Sequence, residues 1–199
     1  MSHIEYEVRV LEINTNEIKE KLNELGAVLV EDVFQKRYVY DFNPKNPNKW
    51  IRLRTNGTKT TLTIKNVETS KIDGTRELEV VVDDFDTTNE ILAELGYKPK
   101  GIQENKRIRY DLNGVEVDID TWPGIPTYLE IEGSSEDEVF DTLSKLGIPK
   151  ENATSLDVQN IYRQIYHINL EETPNLSFKV KRMWINENNW IRGKVFRRC

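Results

Sequence analysis

The chain predicts an α+β fold in which an antiparallel sheet curls into a barrel, helices pack on its outer surface and the interior is charged. Two observations carry this expectation. Strand-type segments recur along the sequence, and in most of them the polar parity holds charge of one sign, unlike the Thr, Ser and Gln of an ordinary wet face. Helical segments with one apolar face lie between and after the strands. The apolar parity is what they can cover, which turns the charged parity inward.

The elements follow in order. Residues 4–11 set Ile4, Tyr6, Val8 and Val10 on one side and Glu5, Glu7 and Arg9 on the other. Asn14 or Thr15 caps a helix over 16–25, with Ile18, Leu22 and Leu25 on one face and Gly26 as its stop. Residues 28–42 read as a long strand from their β-branched and aromatic content, and 43–48 as a loop from their Asn and Pro. Segments 50–54 and 61–65 flank a tight turn at Asn56-Gly57. Arg52 and Arg54 share a face of the first, and Thr61, Thr63 and Lys65 a face of the second. Residues 75–82 bring Glu77 and Glu79 together, and a short helix over 88–95 ends at Gly96. In 103–112, Arg107 and Arg109 oppose Ile108 and Tyr110. Asn113-Gly114 then turns the chain into 115–120, where Glu116, Asp118 and Asp120 share a face. The turn at 123–126 leads into 128–132, which aligns Tyr128, Glu130 and Glu132. Ser134 or Ser135 caps a helix with Val139, Phe140, Leu143 and Leu146 on one side, and a last helix covers 155–166.

Composition bounds what such a fold can be. At 199 residues, 37% hydrophobic and 31% charged, the chain can bury one sizeable core and is too polar for a membrane protein. It shows no bilayer-length apolar run and no basic-then-apolar leader, so a cytoplasmic protein with one main domain is expected. Cys199 is the single cysteine, which excludes an internal disulfide framework. His3 and His167 are too few and too scattered for a histidine site. A metal would therefore sit among carboxylates, which suits a hard ion such as Mg²⁺ or Mn²⁺. The net charge of −6 is unevenly spread: residues 179–199 carry about +6, leaving about −12 on the rest. The acidic body argues against nucleic acid as the main partner. The basic tail reads as an extension folding against that body through Trp184, Trp190 and Phe196 rather than as an arm for an acidic partner.

Collected, the charged parity contains nine acids (Glu5, Glu7, Glu77, Glu79, Glu116, Asp118, Asp120, Glu130 and Glu132) and six bases (Arg9, Arg52, Arg54, Lys65, Arg107 and Arg109). A polar lumen of this kind is stable only where its charges pair or bind ions. Carboxylates on neighbouring strands can hold divalent cations, and clustered Arg and Lys suit a polyanion, so a triphosphate carrying Mg²⁺ answers both halves.

The ordered motifs resemble the CYTH family, the triphosphate tunnel metalloenzymes, which include class IV adenylyl cyclases, thiamine triphosphatases and inorganic triphosphatases. Glu5-x-Glu7-x-Arg9 matches the family's Glu-x-Glu-x-Lys except at its last position. Arg52-x-Arg54, Lys65, Glu77-x-Glu79, Arg107-x-Arg109, Asp118-x-Asp120 and Glu130-x-Glu132 follow on successive strands, covering about residues 4–166. The resemblance implies a closed tunnel of eight antiparallel strands in a domain over 1–170, followed by a basic tail over 171–199. It implies phosphate binding by Arg9, Arg52, Arg54, Lys65, Arg107 and Arg109. It implies metal ligation by Glu5, Glu7, Asp118, Asp120, Glu130 and Glu132, with Glu77 and Glu79 as supporting acids. Glu5, Glu7, Arg9 and Lys65 are the expected catalytic set, and a homodimer is compatible with the family.

The expected substrate is ATP, thiamine triphosphate or tripolyphosphate. The leading expectation is ATP cyclisation to cyclic AMP and pyrophosphate. Hydrolysis of a terminal phosphate is the alternative, and non-catalytic nucleotide or polyphosphate binding comes third. Arg9 bears on this choice, because a lysine at its position has been proposed to help activate water in some family hydrolases, and guanidinium does not give up its proton. Trp50 and Trp122 offer aromatic surface for a base or thiazolium ring, although such residues more often serve packing.

Overall fold

The computed structural model describes residues 3–69, 71–172 and 174–178. Eight strands form its centre: β1 (His3–Val10), β2 (Val28–Asn46), β3 (Lys49–Thr55), β4 (Thr60–Val67), β5 (Thr75–Val82), β6 (Pro99–Leu112), β7 (Val115–Thr121) and β8 (Tyr128–Gly133). Their order is β5-β4-β3-β2-β6-β7-β8-β1, and β1 returns to β5 to close the barrel with antiparallel neighbours throughout. The closing ladder is short, joining His3, Ile4 and Glu5 to Glu77, Arg76 and Thr75. A two-residue strand, β9 (Ala153–Thr154), lies along β1 opposite Val10 and Arg9.

Alternation fixes which side of each strand faces outward. Val8, Val10, Val117, Ile119, Leu129 and Ile131 lie under α1 (Thr15–Glu24) and α3 (Glu136–Lys145), where Ile18, Leu22, Val139, Leu143 and Leu146 complete the main core. Each such side chain contributes roughly 1.5–3 kcal/mol by leaving water. A second cluster packs Tyr40, Ile51 and Leu53 against Phe85 and Leu92 of α2 (Phe85–Glu94). A third, made of Trp122, Ile125, Tyr128, Ile161, Tyr162 and Leu176, covers part of one end of the barrel. Asn14, Asp84 and Ser135 cap the three long helices by accepting hydrogen bonds from first-turn amides, as short polar residues do there. Asn113 and Gly114 both take positive φ, the conformation that a two-residue hairpin turn requires.

Three expectations are corrected. The loop expected over 43–48 is mostly strand, because β2 runs to Asn46 and re-pairs with Lys49 after an irregularity that absorbs the residues following Asp41. The helix expected over 88–95 starts at Phe85, since Asp84 supplies the cap three residues earlier. The last helix is broken: α4 (Val158–Asn160), capped by Asp157, passes into a wider π turn over Ile161–Ile165.

Beyond it, Leu176 exchanges backbone hydrogen bonds with Ile102 and Glu104 of β6, and a Cβ on Gly101 would collide with the Pro174 carbonyl oxygen. The tail over 179–199 lies outside the described residues, whereas 174–178 is attached to the barrel wall. Among the described residues, no helix is long and apolar enough to cross a membrane.

Candidate functional site

All the charged residues singled out from the sequence fall on the inner parity of the barrel, and the ladders set them beside one another. Arg107 faces Asp120 and Arg109 faces Asp118 across β6–β7. Asp118 faces Glu130 across β7–β8, and Arg9 and Glu7 face Glu130 and Glu132 across β8–β1. Lys65 faces Glu77, and Thr63 faces Glu79, across β4–β5. Along β7 the side chains go from 44% exposed at Glu116 to 3% at Asp118 and 0% at Asp120, so the tunnel opens at the Glu116 end.

One wall is neutralised. Arg107 contacts Asp118 at 2.5 Å, Asp120 at 2.5 Å and Glu130 at 2.9 Å. Arg109 contacts Asp118 at 2.7 Å and Glu116 at 2.6 Å. Arg9 bridges Glu7 at 2.8 Å and Glu130 at 2.6 Å, and also donates to the Leu156 carbonyl at 3.0 Å. Burial works against these three charges, but the carboxylates outweigh it and hold all three guanidinium protons more tightly than usual. Burial likewise opposes the Glu130 charge, and Arg9 and Arg107 overcome it, holding its carboxyl far below the usual range. Arg9 is therefore fixed by acids and by the chain that crosses it, and it cannot act as a proton acceptor.

On the opposite wall the arginines are paired more loosely. Arg52 reaches Glu77 at 3.5 Å and Glu79 at 3.4 Å, and Arg54 reaches Glu79 at 3.9 Å, all longer than the contacts across the lumen. Burial pushes the Arg52 guanidinium down despite Glu79 and Glu5. Neighbouring Arg52, then burial, pushes Arg54 down to about 9. Both stay charged at neutral pH; burial leads the shift of Arg52, and the neighbouring guanidinium leads that of Arg54, with Glu79 opposing both. Lys65 is ion-paired with Glu77 and lies 3.3 Å from Glu5.

A carboxylate group completes the site. Glu5, Glu7 and Glu132 each place an oxygen within 4.8 Å of the others. Burial, followed by Glu5, Glu7 and Glu130, pushes Glu132 up to about 8. Three converging carboxyls, the proton of one held by burial and by its neighbours in the metal-free protein, form a donor set that fits a hard divalent cation. Asp118, Asp120 and Glu130, also expected as metal ligands, contact Arg107, Arg109 and Arg9, as Glu7 contacts Arg9 and Glu5 contacts Lys65. A crevice of about 240 Å³ opens beside Glu7, lined by Asn48, Val67, Thr75, Leu156 and Asn160 among others.

Three inward residues were not singled out from the sequence: Gln35, Arg37 and Asn105, which are 4%, 7% and 0% exposed. The usable signal was that Gln35 and Arg37 share a parity, as Asn105 does with Arg107, but the amides looked like ordinary wet-face residues. Trp122 is 4% exposed, stacked on Arg37 and edge-on to Tyr162, so it serves packing.

A closed antiparallel tunnel lined by paired acids and bases, with three converging carboxyls among them, defines a class of barrel. The family comparison names the class, because residues 3–170 match the model of the CYTH domain, and the chain belongs to that family. Members that are triphosphate tunnel metalloenzymes are metal-dependent. Among relatives, the chain is 28% identical over 162 residues to a Methanocaldococcus jannaschii protein named "Putative adenylate cyclase MJ0240", covering 75% of this chain and 93% of that one. Among solved structures, PH1012 from Pyrococcus horikoshii OT3 superposes with a TM-score of 0.68 at 25% identity, covering 77% of this chain and 96% of that one. The Hippeastrum protein HpAC1, described as having a dominant triphosphatase activity, shares the fold with a TM-score of 0.55 at 18% identity, covering 84% and 97%.

Proposed function

We propose that this chain is a metal-dependent enzyme acting on a nucleoside triphosphate, converting ATP to cyclic AMP and pyrophosphate. The observation that carries the reading is the juxtaposition at Glu7. On one side of it lies a crevice with room for a nucleoside, and toward the lumen lie the carboxyl trio and the arginines of β3. The printed name of the M. jannaschii relative points the same way.

In this reading Arg52, Arg54 and Lys65 bind phosphate oxygens, aided by Arg109 at the tunnel mouth. Arg107 and Arg9 set the positions of Glu130, Asp118 and Glu7. Glu5, Glu7 and Glu132 would hold Mg²⁺ or Mn²⁺, with Asp118, Asp120 and Glu130 behind them. Bound there, the ion supplies Lewis acidity that eases ionisation of a hydroxyl and neutralises phosphate charge. The 3′ hydroxyl gives up its proton to solvent as its oxygen forms its bond to the α-phosphorus, the bond from that phosphorus to the bridging oxygen breaks, and pyrophosphate leaves with the β and γ phosphates. The arginines of β3 stabilise the charge that collects on the departing chain. The working unit is residues 1–170, with 171–199 as a basic appendage.

A second reading, hydrolysis of a terminal phosphate, is favoured by the burial of Trp122, which removes one of the two aromatic platforms for a base. Purified protein incubated with ATP, thiamine triphosphate or tripolyphosphate, each with Mg²⁺ and with Mn²⁺, separates the readings. Cyclic AMP without orthophosphate is the expected result; orthophosphate alone assigns the hydrolase, and tight binding with neither product assigns a sensor. The Glu5→Gln/Glu7→Gln double variant should lose metal-dependent turnover, and full retention would remove the trio from the chemistry.

A further inference from the structure

We propose that Arg37 is an anion ligand of the tunnel, its guanidinium holding a phosphoryl oxygen of the substrate, with Gln35, Asn105 and Trp122 as the residues that position it. The proposal rests on the triphosphate reading above and adds a strand, β2, from which the sequence motifs drew no phosphate contact.

A buried guanidinium normally has a carboxylate partner. Arg37 is 7% exposed, yet its side-chain hydrogen bonds among the described residues go to neutral amide oxygens: Gln35 Oε1 at 3.0 Å and Asn105 Oδ1. Its Nε has no hydrogen-bond partner among the described residues. Asp120, the acid that acts in its favour, is already engaged: it accepts from Arg107 Nε at 2.9 Å, Arg107 Nη2 at 2.5 Å, Asn105 Nδ2 at 3.1 Å and Tyr128 Oη at 3.4 Å. Directly across the ladder from Arg37 stands another arginine, Arg54. Burial, then Arg54, Arg52 and Arg107, pushes the Arg37 guanidinium well below its ordinary value.

The side chain is nonetheless held in place. The Trp122 ring lies 4.5 Å from its Cζ, and Tyr162 packs edge-on against Trp122 while its hydroxyl donates to the Pro123 carbonyl at 2.6 Å. The arrangement is a fixed, dry fork with an unused donor, no carboxylate bonded to it among the described residues and Arg54 directly across the ladder, which an oxyanion would complete. A purely structural arginine would stabilise the free protein. This one, lacking a counter-charge, should burden it.

The test uses wild type, Arg37→Gln and Arg37→Lys. Thermal melts in EDTA read the free protein, and calorimetric titration with inorganic tripolyphosphate, in EDTA and again with Mg²⁺, reads binding. The expected result is a dissociation constant tenfold or more weaker for Arg37→Gln, with an anion-free Tm equal to or above that of wild type. Arg37→Lys, which keeps the charge without the fork, should fall between the two. Unchanged affinity in Arg37→Gln overturns the proposal, and so does a loss of affinity that follows a lowered anion-free Tm. Should Arg37→Gln not fold, Arg37→Lys decides: wild-type affinity overturns the proposal, and weakened affinity at unchanged Tm supports it. Wild type that binds no tripolyphosphate in either condition removes the triphosphate reading itself, a failure distinct from indifference at position 37.

Discussion

Arg107 and Arg52 both belong to Arg-x-Arg pairs on inner strand faces, yet the structure surrounds them differently. Arg107 is in close contact with Asp118, Asp120 and Glu130, whereas Arg52 reaches its two acids only at 3.4–3.5 Å and sits beside Arg54. Identity and spacing do not decide this; the strands on either side do. β6 is paired with β7, whose inner face is wholly acidic, while β3 lies between β2, carrying Arg37, and β4, carrying Thr61, Thr63 and Lys65. A motif of the same form is therefore held in close ion pairs on one side of the lumen and in longer ones on the other, and the proposed reading makes the first a scaffold and the second an anion site.

The largest effect should come from the scaffold side. Arg107→Met would leave Asp118, Asp120 and Glu130 buried without their shared cation. Breaking a buried ionic group in this way costs about 3–5 kcal/mol. Urea denaturation measures it, and a loss under about 1 kcal/mol would mean that Arg107 is not the keystone of that wall.

The open side should respond in the other currency of the protein, affinity. The Arg52→Gln/Arg54→Gln double variant should weaken tripolyphosphate binding by about a hundredfold while changing stability by no more than about 1 kcal/mol. Equal damage to stability in both variants would erase the distinction between the walls.

A smaller effect should come from Glu132. Its carboxyl titrates at about 8 in the fold and at about 4.3 in an unfolded chain. Metal-free protein should therefore be most stable, as far as this group is concerned, below about pH 4.3, and lose that stability as pH rises towards 8. Denaturation midpoints at pH 5.5 and 8.0 should show the decline in EDTA, a shallower decline with Mg²⁺, and its removal in Glu132→Gln. An identical decline in that variant would assign the titration elsewhere.

Much of this architecture is legible in the sequence because period-two alternation is a geometric property of the strand itself. Glu5, Glu7 and Arg9 share a face wherever that strand is placed, and the same holds for Asp118 with Asp120. What alternation does not encode is who stands across the ladder, and that is why the different surroundings of Arg107 and Arg52 are not legible in their shared spacing. Arg37 escaped for a related reason. In the run from Val28 to Tyr40 the inner parity mixes Val33, Gln35, Arg37 and Val39, so burial of the guanidinium depends on Trp122 and Tyr162, which arrive from much later in the chain. The broken last helix was hidden similarly: its course follows from packing on Trp122 and Ile125 more than from its own periodicity.

The short ladder between β1 and β5 gives the barrel one further property. A hoop is only as strong as its fastening, and here the fastening is three residues long, ending at Glu5. Glu5 is also part of the carboxyl trio and lies 3.3 Å from Lys65 on the far side of the join. The clasp of the hoop and one corner of the carboxyl trio are thus the same residue. Whatever the trio holds would bear directly on the fastening, and a change at Glu5 would act on the closure of the wall and on the trio together.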